Sequence, residues 1–168
     1  GGKTDYVEAF KCASIAYQNG ESNAAFLLAI MYEKGLGGGE NLVKARELYL
    51  EVINGPKQSF AAYFMYAQMC LHGHGGEKDI DEALRMSRLG LEIDVDSAYA
   101  HYSHSDILWN IYKEGEGLVD ETEFSDSLNK AISMGSANAL LLKRQFEKYK
   151  RQKVRLTQQS SDASDSEK

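Results

Sequence analysis

One short stretch, Tyr32-Glu-Lys-Gly35-Leu-Gly37, limits what this chain can fold into more than any other feature, because it returns twice. It recurs as Cys70-Leu-His-Gly73-His-Gly75 and as Tyr112-Lys-Glu-Gly115-Glu-Gly117, at spacings of 38 and 42 residues. Self-similarity at such a period marks a stack of supersecondary units, none of which can bury its apolar face alone. One proline in 168 residues and few alternating Val/Ile/Thr runs argue against a sheet, whereas abundant Ala, Leu, Glu, Lys and Met favour helix. The expected fold class is all-α, an α-solenoid of antiparallel helix pairs.

Each unit reads as a helix, a glycine corner and a second helix with a recurring start. Asp5-x-x-Glu8, Asn41-x-x-Lys44, Asp79-x-x-Glu82 and Asp120-x-x-Glu123 place an Asx residue where an N-cap accepts an orphan N–H. In three of them the Glu is spaced to close a capping box. A lone second helix over 5–19 is expected to bury Ala9, Cys12, Ala13, Ala16 and Tyr17. Repeats follow at about 20–55, 56–94 and 95–135, with Ala24, Leu27, Leu28, Met31, Ala45, Leu48, Tyr49 and Val52 as the first core stripe. Ala62, Met65, Tyr66, Met69, Ala83, Met86, Gly90 and Leu91 form the second.

In the third unit the helix feeding Gly115 is longer by four residues, about one turn. The extra turn is expected among His101, Tyr102, Ser103, His104, Ser105 and Asp106. A terminal capping helix over 136–155 follows, with Lys143 and Arg144 on a polar outer face, and the Ser-rich residues 156–168 read as a disordered tail. Charge is uneven. Residues 1–142 hold 11 Lys+Arg against 21 Asp+Glu, whereas 143–155 hold seven against one, a basic element on an acidic body.

Ser22-x-Ala24…Leu28-Ala29…Met31-Tyr32-x-x-Gly35-x-Gly37, followed by Asn41-x-x-Lys44-Ala45…Leu48-Tyr49…Gly55, resembles a Sel1-like repeat, a relative of the tetratricopeptide repeat. The echoes at Asp5, Asp79 and Asp120 extend the resemblance over about 5–143. It implies a right-handed superhelix with first helices lining a concave face, and an adaptor role in signalling, envelope or secretion complexes. In bacteria such chains are often exported, so the compartment stays open between periplasmic or exported and cytoplasmic. Gly1-Gly2 runs straight into what reads as the second half of a repeat, so further repeats or a signal upstream are an expectation.

The glycines do not form a phosphate cradle, since a P-loop needs a preceding strand and Gly-Lys-Ser/Thr after it; they read as corners. His72-Gly-His74 and His101-x-x-His104 offer two His pairs. The second has a spacing that binds zinc if Asp106 or Asp96 converges, but two ligands fall short of a site, and partner contact is the preferred reading. Cys12 and Cys70 form no Cys-x-x-Cys pattern and read as core residues, no cofactor is expected, and no run is long enough to span a membrane.

On the first helices Tyr63, Tyr99, Tyr102 and Trp109 are candidate partly exposed anchors, joined by His101, His104 and Asp106. The basic patch Lys148, Lys150, Arg151 and Lys153 suits an anionic ligand, an acidic neighbouring copy, or simply solvent. The acidic pI of 5.3 argues against a nucleic-acid binder. These residues point to a non-catalytic scaffold that holds another protein or peptide on its concave face, with Glu33, Asp106 and Glu114 favouring a partner with a basic or mixed surface. The alternative is a metal- or anionic-ligand-binding module using His101/His104 or the basic C-terminal helix.

Overall fold

A computed structural model describes residues 3–21, 23–56, 58–115 and 119–166, and every element in it is a helix. In chain order these are α1 (Lys3–Gln18), α2 (Ala24–Lys34), α3 (Leu42–Asn54), α4 (Phe60–His72), α5 (Ile80–Ile93), α6 (Ala98–Glu114), α7 (Glu121–Ser133) and α8 (Ala137–Ser166). Each packs antiparallel on the next. The α4 and α6 helices also touch each other, as do α6 and α8, whereas no comparable contact joins α5 to α7. From α4 onward the even-numbered helices therefore form the inner, shorter arc of the stack and the odd-numbered ones the outer arc. The all-α solenoid expected from the repeat is what forms.

The inner joints are filled by small residues at helix crossings. Ala29, Ala45, Ala62, Ala67 and Ala83 are fully buried, and they let Leu48, Tyr49, Met69 and Leu71 close the core between them. Asn41 and Asp79 are N-caps as expected, their Oδ1 atoms accepting the N–H of Lys44 and Glu82 at 2.9 Å. The reciprocal half of the capping box is absent. Glu82 instead binds Arg85 and Glu123 binds Arg88, because a guanidinium within reach outcompetes the backbone. Asp5 lies inside the first turn of α1, which begins at Lys3.

The first two corners are copies of one another. Gly35 and Gly73 are left-handed at φ 65° and 69°, and the N–H of Leu36 and of His74 reaches back to Met31 and Met69. Asn41 and Asp79 then donate to the Tyr32 and Cys70 carbonyls, each at 2.9 Å. This is the hydrogen-bond pattern of a Schellman C-cap. The second glycine of each corner has a different task. Gly37 (φ 79°) sits on the Tyr6 carbonyl and Phe10 of α1, and Gly75 (φ 70°) on the Leu42 carbonyl of α3, so close that a Cβ at either would enter that backbone. The corner of each unit is thereby seated on the start of the preceding outer helix.

The third corner differs. Gly115 is extended at φ −171°, while Gly117, like Ser22, lies outside the described residues. The helix starts of α4 and α6 are 38 residues apart and Gln68 pairs with Asp106 in that same register, so the extra turn is Ile111–Glu114 at the C-terminal end of α6. That corrects its expected place among His101–Asp106. Three burial expectations also change. Ala9 and Cys12 are exposed because only α2 covers α1, through the side bearing Phe10, Ala13 and Tyr17, and Leu27 is exposed on the side of α2 away from its buried stripe. The helix α8 runs on to Ser166 instead of ending at 155, since no glycine or proline interrupts residues 137–166; Glu167 and Lys168 lie outside the described residues.

The seating of Gly75 can be separated from its backbone angle. Gly39 is also left-handed (φ 83°) but has open space around its Cα. Gly39→Ala is expected to lower the unfolding free energy by about 1 kcal/mol, the cost of a left-handed L-residue. Gly75→Ala should cost roughly 3 kcal/mol or more in the same urea titration, because backbone must also move. Equal losses would show that the close approach contributes nothing.

Candidate functional site

The helix α6 carries most of the singled-out residues, and its two faces do different things. Its outer-facing side holds both histidines. His104, 3% exposed, places Nδ1 3.1 Å from the Ser87 hydroxyl of α5 and Nε2 3.3 Å from the Glu123 carboxylate of α7. Glu123 is gripped on its other side by Arg88 through two 2.7 Å bonds. His101 Nε2 lies 2.9 Å from the Val95 carbonyl and its Nδ1 3.1 Å from the Ser127 hydroxyl. Both rings are therefore structural cross-braces between α5, α6 and α7. Above them runs a groove of about 600 Å³ between α5 and α7, with the apolar Leu91 and Val95 and the acidic Glu92 and Asp126 in its lining.

This corrects the expected placement of the histidines on the concave face. The two residues proposed to complete a zinc site do not converge either: Asp106 turns to the inner face, and no group of three His, Cys, Asp or Glu capable of holding a metal occurs among the described residues. His72 and His74 lie near one another in the second corner, their rings tilted at 39° with centroids 5.6 Å apart.

The inner-facing side of α6 carries Tyr99, Tyr102 and Asp106 at i, i+3 and i+7. Facing it, α4 presents Phe60, Phe64, Gln68 and His72, one residue per turn. Tyr99 is 55% exposed and meets Phe60 edge-on at 5.6 Å; Tyr102 lies 6.4 Å from Tyr99, and Phe60 stacks on Phe64 at 6.3 Å. A polar chain continues from this aromatic strip. Gln68 Nε2 donates to Asp106 Oδ2 at 3.1 Å, and the Gln68 amide oxygen lies 3.1 Å from His72 Nε2. Burial pushes the Asp106 carboxyl up from its ordinary value, with the Gln68 bond working against the shift.

Of the anchors expected from sequence, Tyr99 and Tyr102 are partly open and Asp106 is half-buried beside them. Tyr63 and Trp109 are each 6% exposed and belong to the core. Trp109 is the hub of an aromatic cluster, with the Phe124, Phe146, Tyr149 and Tyr112 rings at 5.2 to 6.3 Å. Glu33 is held by Tyr49 and Lys34, and Glu114 pairs with Lys78, so neither flanks the strip as a free charge. Phe60, Phe64 and Gln68 were not singled out; their spacing of four along α4, in register with Tyr102 and Asp106, was the signal that marks them.

Along α8 the basic residues divide. Lys150 pairs with Glu121 and covers the Phe146 ring at 5.3 Å, on the packed side. Lys148 and Arg151 face outward with Arg144 and Arg155, and Arg151 lies 3.7 Å from Glu147. Among the described residues, no helix is long and apolar enough to cross a membrane.

Comparison with known proteins bears on this geometry. A family profile described as Sel1 repeat matches residues 1–21, 22–51 and 60–92, half of the chain. The fold is similar to that of a Sel1 repeat protein from Oxalobacter formigenes, with TM-score 0.63 and 23% identity over 81% of this chain and 53% of that one. It is also similar to a protective antigen present in uropathogenic Escherichia coli strains and displaying an SLR fold, with TM-score 0.67 and 19% identity over 80% of this chain and 27% of that one. The chain thus spans about half the length of the first and about a quarter of the second. No curated protein matches its sequence.

The His104 brace makes the stack acid-sensitive. Burial holds its imidazole below the ordinary 6.5, so the unfolded chain binds a proton that the folded one refuses. Its contribution to stability is therefore complete above pH 6.5 and is lost as pH falls from there. Glu123 is lowered from 4.5, chiefly by its bond to Arg88, and its contribution is lost as pH falls below 4.5. The urea midpoint should drop between about pH 7.5 and 5.5 in the wild type. In His104→Gln it should drop much less, and an unchanged pH dependence in that variant would place the acid sensitivity elsewhere.

Proposed function

The chain belongs to the Sel1 repeat family, and from that premise we propose that it is a non-catalytic scaffold which holds a partner protein or peptide on the inner face of α4 and α6. Sel1-repeat folds commonly mediate protein–protein interaction. The observation that carries the specific reading is the half-open strip of Phe60, Phe64, Tyr99 and Tyr102 that ends at Gln68 and Asp106. Rigid aromatic rings give large contact area at low entropic cost and are enriched in binding hot spots. Both histidines of α6 commit their ring nitrogens to structural bonds, which supports a role without catalysis.

The strip also limits what it can hold. Seven helical positions separate Tyr99 from Asp106, about 10 Å along the axis. An extended peptide covers that distance in about three residues. A partner segment with an apolar or aromatic side chain, and a Lys or Arg three residues away, would place one group on the rings and the other on the Asp106 carboxylate.

Selection of a random peptide library on the wild-type protein is expected to enrich that spacing. Tyr99→Ala/Tyr102→Ala should fail to enrich it, with loss of at least about 2 kcal/mol, or roughly 30-fold, for any selected peptide. Asp106→Asn should retain the apolar preference and lose the cation. Enrichment that ignores both variants would remove the inner face from the function. Tyr63 and Trp109 are unsuitable as probes, because truncating either opens the core.

A further inference from the structure

The outward face of α8 is not used by the inner-face reading. Arg144, Lys148, Arg151 and Arg155 stand at i, i+4, i+7 and i+11, one stripe about 16 Å long directly opposite the buried Ala139, Leu142 and Phe146. Leu140 and Leu141, 43% and 55% exposed, lead into the same stripe. Of its four cations only Arg151 has a carboxylate within ion-pair range among the described residues, Glu147 at 3.7 Å. The groove between α5 and α7 is the converse surface. Its lining includes the apolar Leu91 and Val95 with the acidic Glu92 and Asp126, and the exposed Asp94 and Asp96 flank Val95 in the adjoining turn. None of these four carboxylates has an ion-pair partner among the described residues. Arg88, which also lines the groove, is neutralised by Glu123, leaving Lys130 as the one opposing charge there.

We propose that the outward face of α8 docks in the α5–α7 groove of a second copy of this chain, with Leu140 and Leu141 on its apolar lining and the basic stripe against its acidic residues. Charge complementarity selects this occupant. Two α8 helices cannot cover each other, because their stripes would meet like against like. A nucleic acid or an anionic bilayer would meet the strongly acidic remainder of the body, 11 Lys+Arg against 21 Asp+Glu over residues 1–142. The large exposed apolar residues of α8, Leu140, Leu141, Val154 and Leu156, lie in two pairs with most of the cations between them, and do not make the continuous apolar face an interfacial helix needs. Two copies related by a two-fold axis make the contact twice and close into a dimer.

The test is sedimentation velocity of the whole chain at about 50 and 500 mM salt, since contacts between exposed charges are screened. A dimer is expected at low salt, with dissociation at least tenfold easier at high salt. Arg144→Glu/Lys148→Glu/Arg151→Glu should be monomeric, and so should Glu92→Lys/Asp126→Lys. Mixing the two should restore a heterodimer held by one native contact, basic α8 in an acidic groove, and one charge-swapped contact, acidic α8 in a basic groove. All five positions are exposed, so circular dichroism should show an unchanged fold; if either set unfolds, the neutral variant Arg144→Gln/Lys148→Gln, weakened but folded, replaces it. A wild type that is monomeric at low salt, a dimer indifferent to both charge reversals, or a mixture that stays monomeric would each overturn the proposal.

Discussion

The close approach of Gly37 and Gly75 to the preceding outer helix is the constraint on which the rest of the stack depends. In each corner the first left-handed glycine, Gly35 or Gly73, lets the carbonyls and amides complete the Schellman pattern, and the second, Gly37 or Gly75, lets the corner rest on backbone one unit earlier. Intra-unit geometry and inter-unit spacing are thereby set by two glycines one residue apart. The fully buried alanines along the helix crossings then need to be no larger than they are, since the distance between layers is already determined.

Where that device lapses, other interactions take over. Gly115 is extended, α6 runs a turn further, and the family profile stops at residue 92. The joint between the second and third units is held instead by the polar braces of His101, His104, Arg88 and Glu123, and the joint to α8 by rings gathered on Trp109. Such hydrogen-bonded charges are less tolerant than apolar packing, because removing one partner leaves the other buried and unpaired. The third unit thus departs from the glycine-seated pattern of the first two and rests on a charged, hydrogen-bonded joint.

The helices, their order and three of the caps, Asn41, Asp79 and Asp120, were legible in the sequence because glycine and Asx residues act locally, through backbone angles and orphan N–H groups. Side-chain direction on the inner helices was not. A helix packed by neighbours on three sides buries most of its circumference, so periodicity does not separate Trp109 in the core from Tyr99 in solvent. Polarity misled at His104, expected among the partly exposed anchors and in fact buried between Ser103 and Ser105, which are buried too; Ser105 satisfies its hydroxyl on the His101 carbonyl within its own helix. The extra turn of α6 was countable, but measuring back from Gly115 could not say which end had grown. The matching starts of α4 and α6 and the pairing of Gln68 with Asp106 fix that.

The longer α6 also alters what the array is as an object for recognition. A solenoid of identical units presents the same surface at every step, so an extended ligand can bind in several equivalent registers and slide between them at little cost. By extending one inner helix past its neighbours, this chain breaks the translational symmetry of its own surface. The ladder acquires an origin from which position along it can be counted.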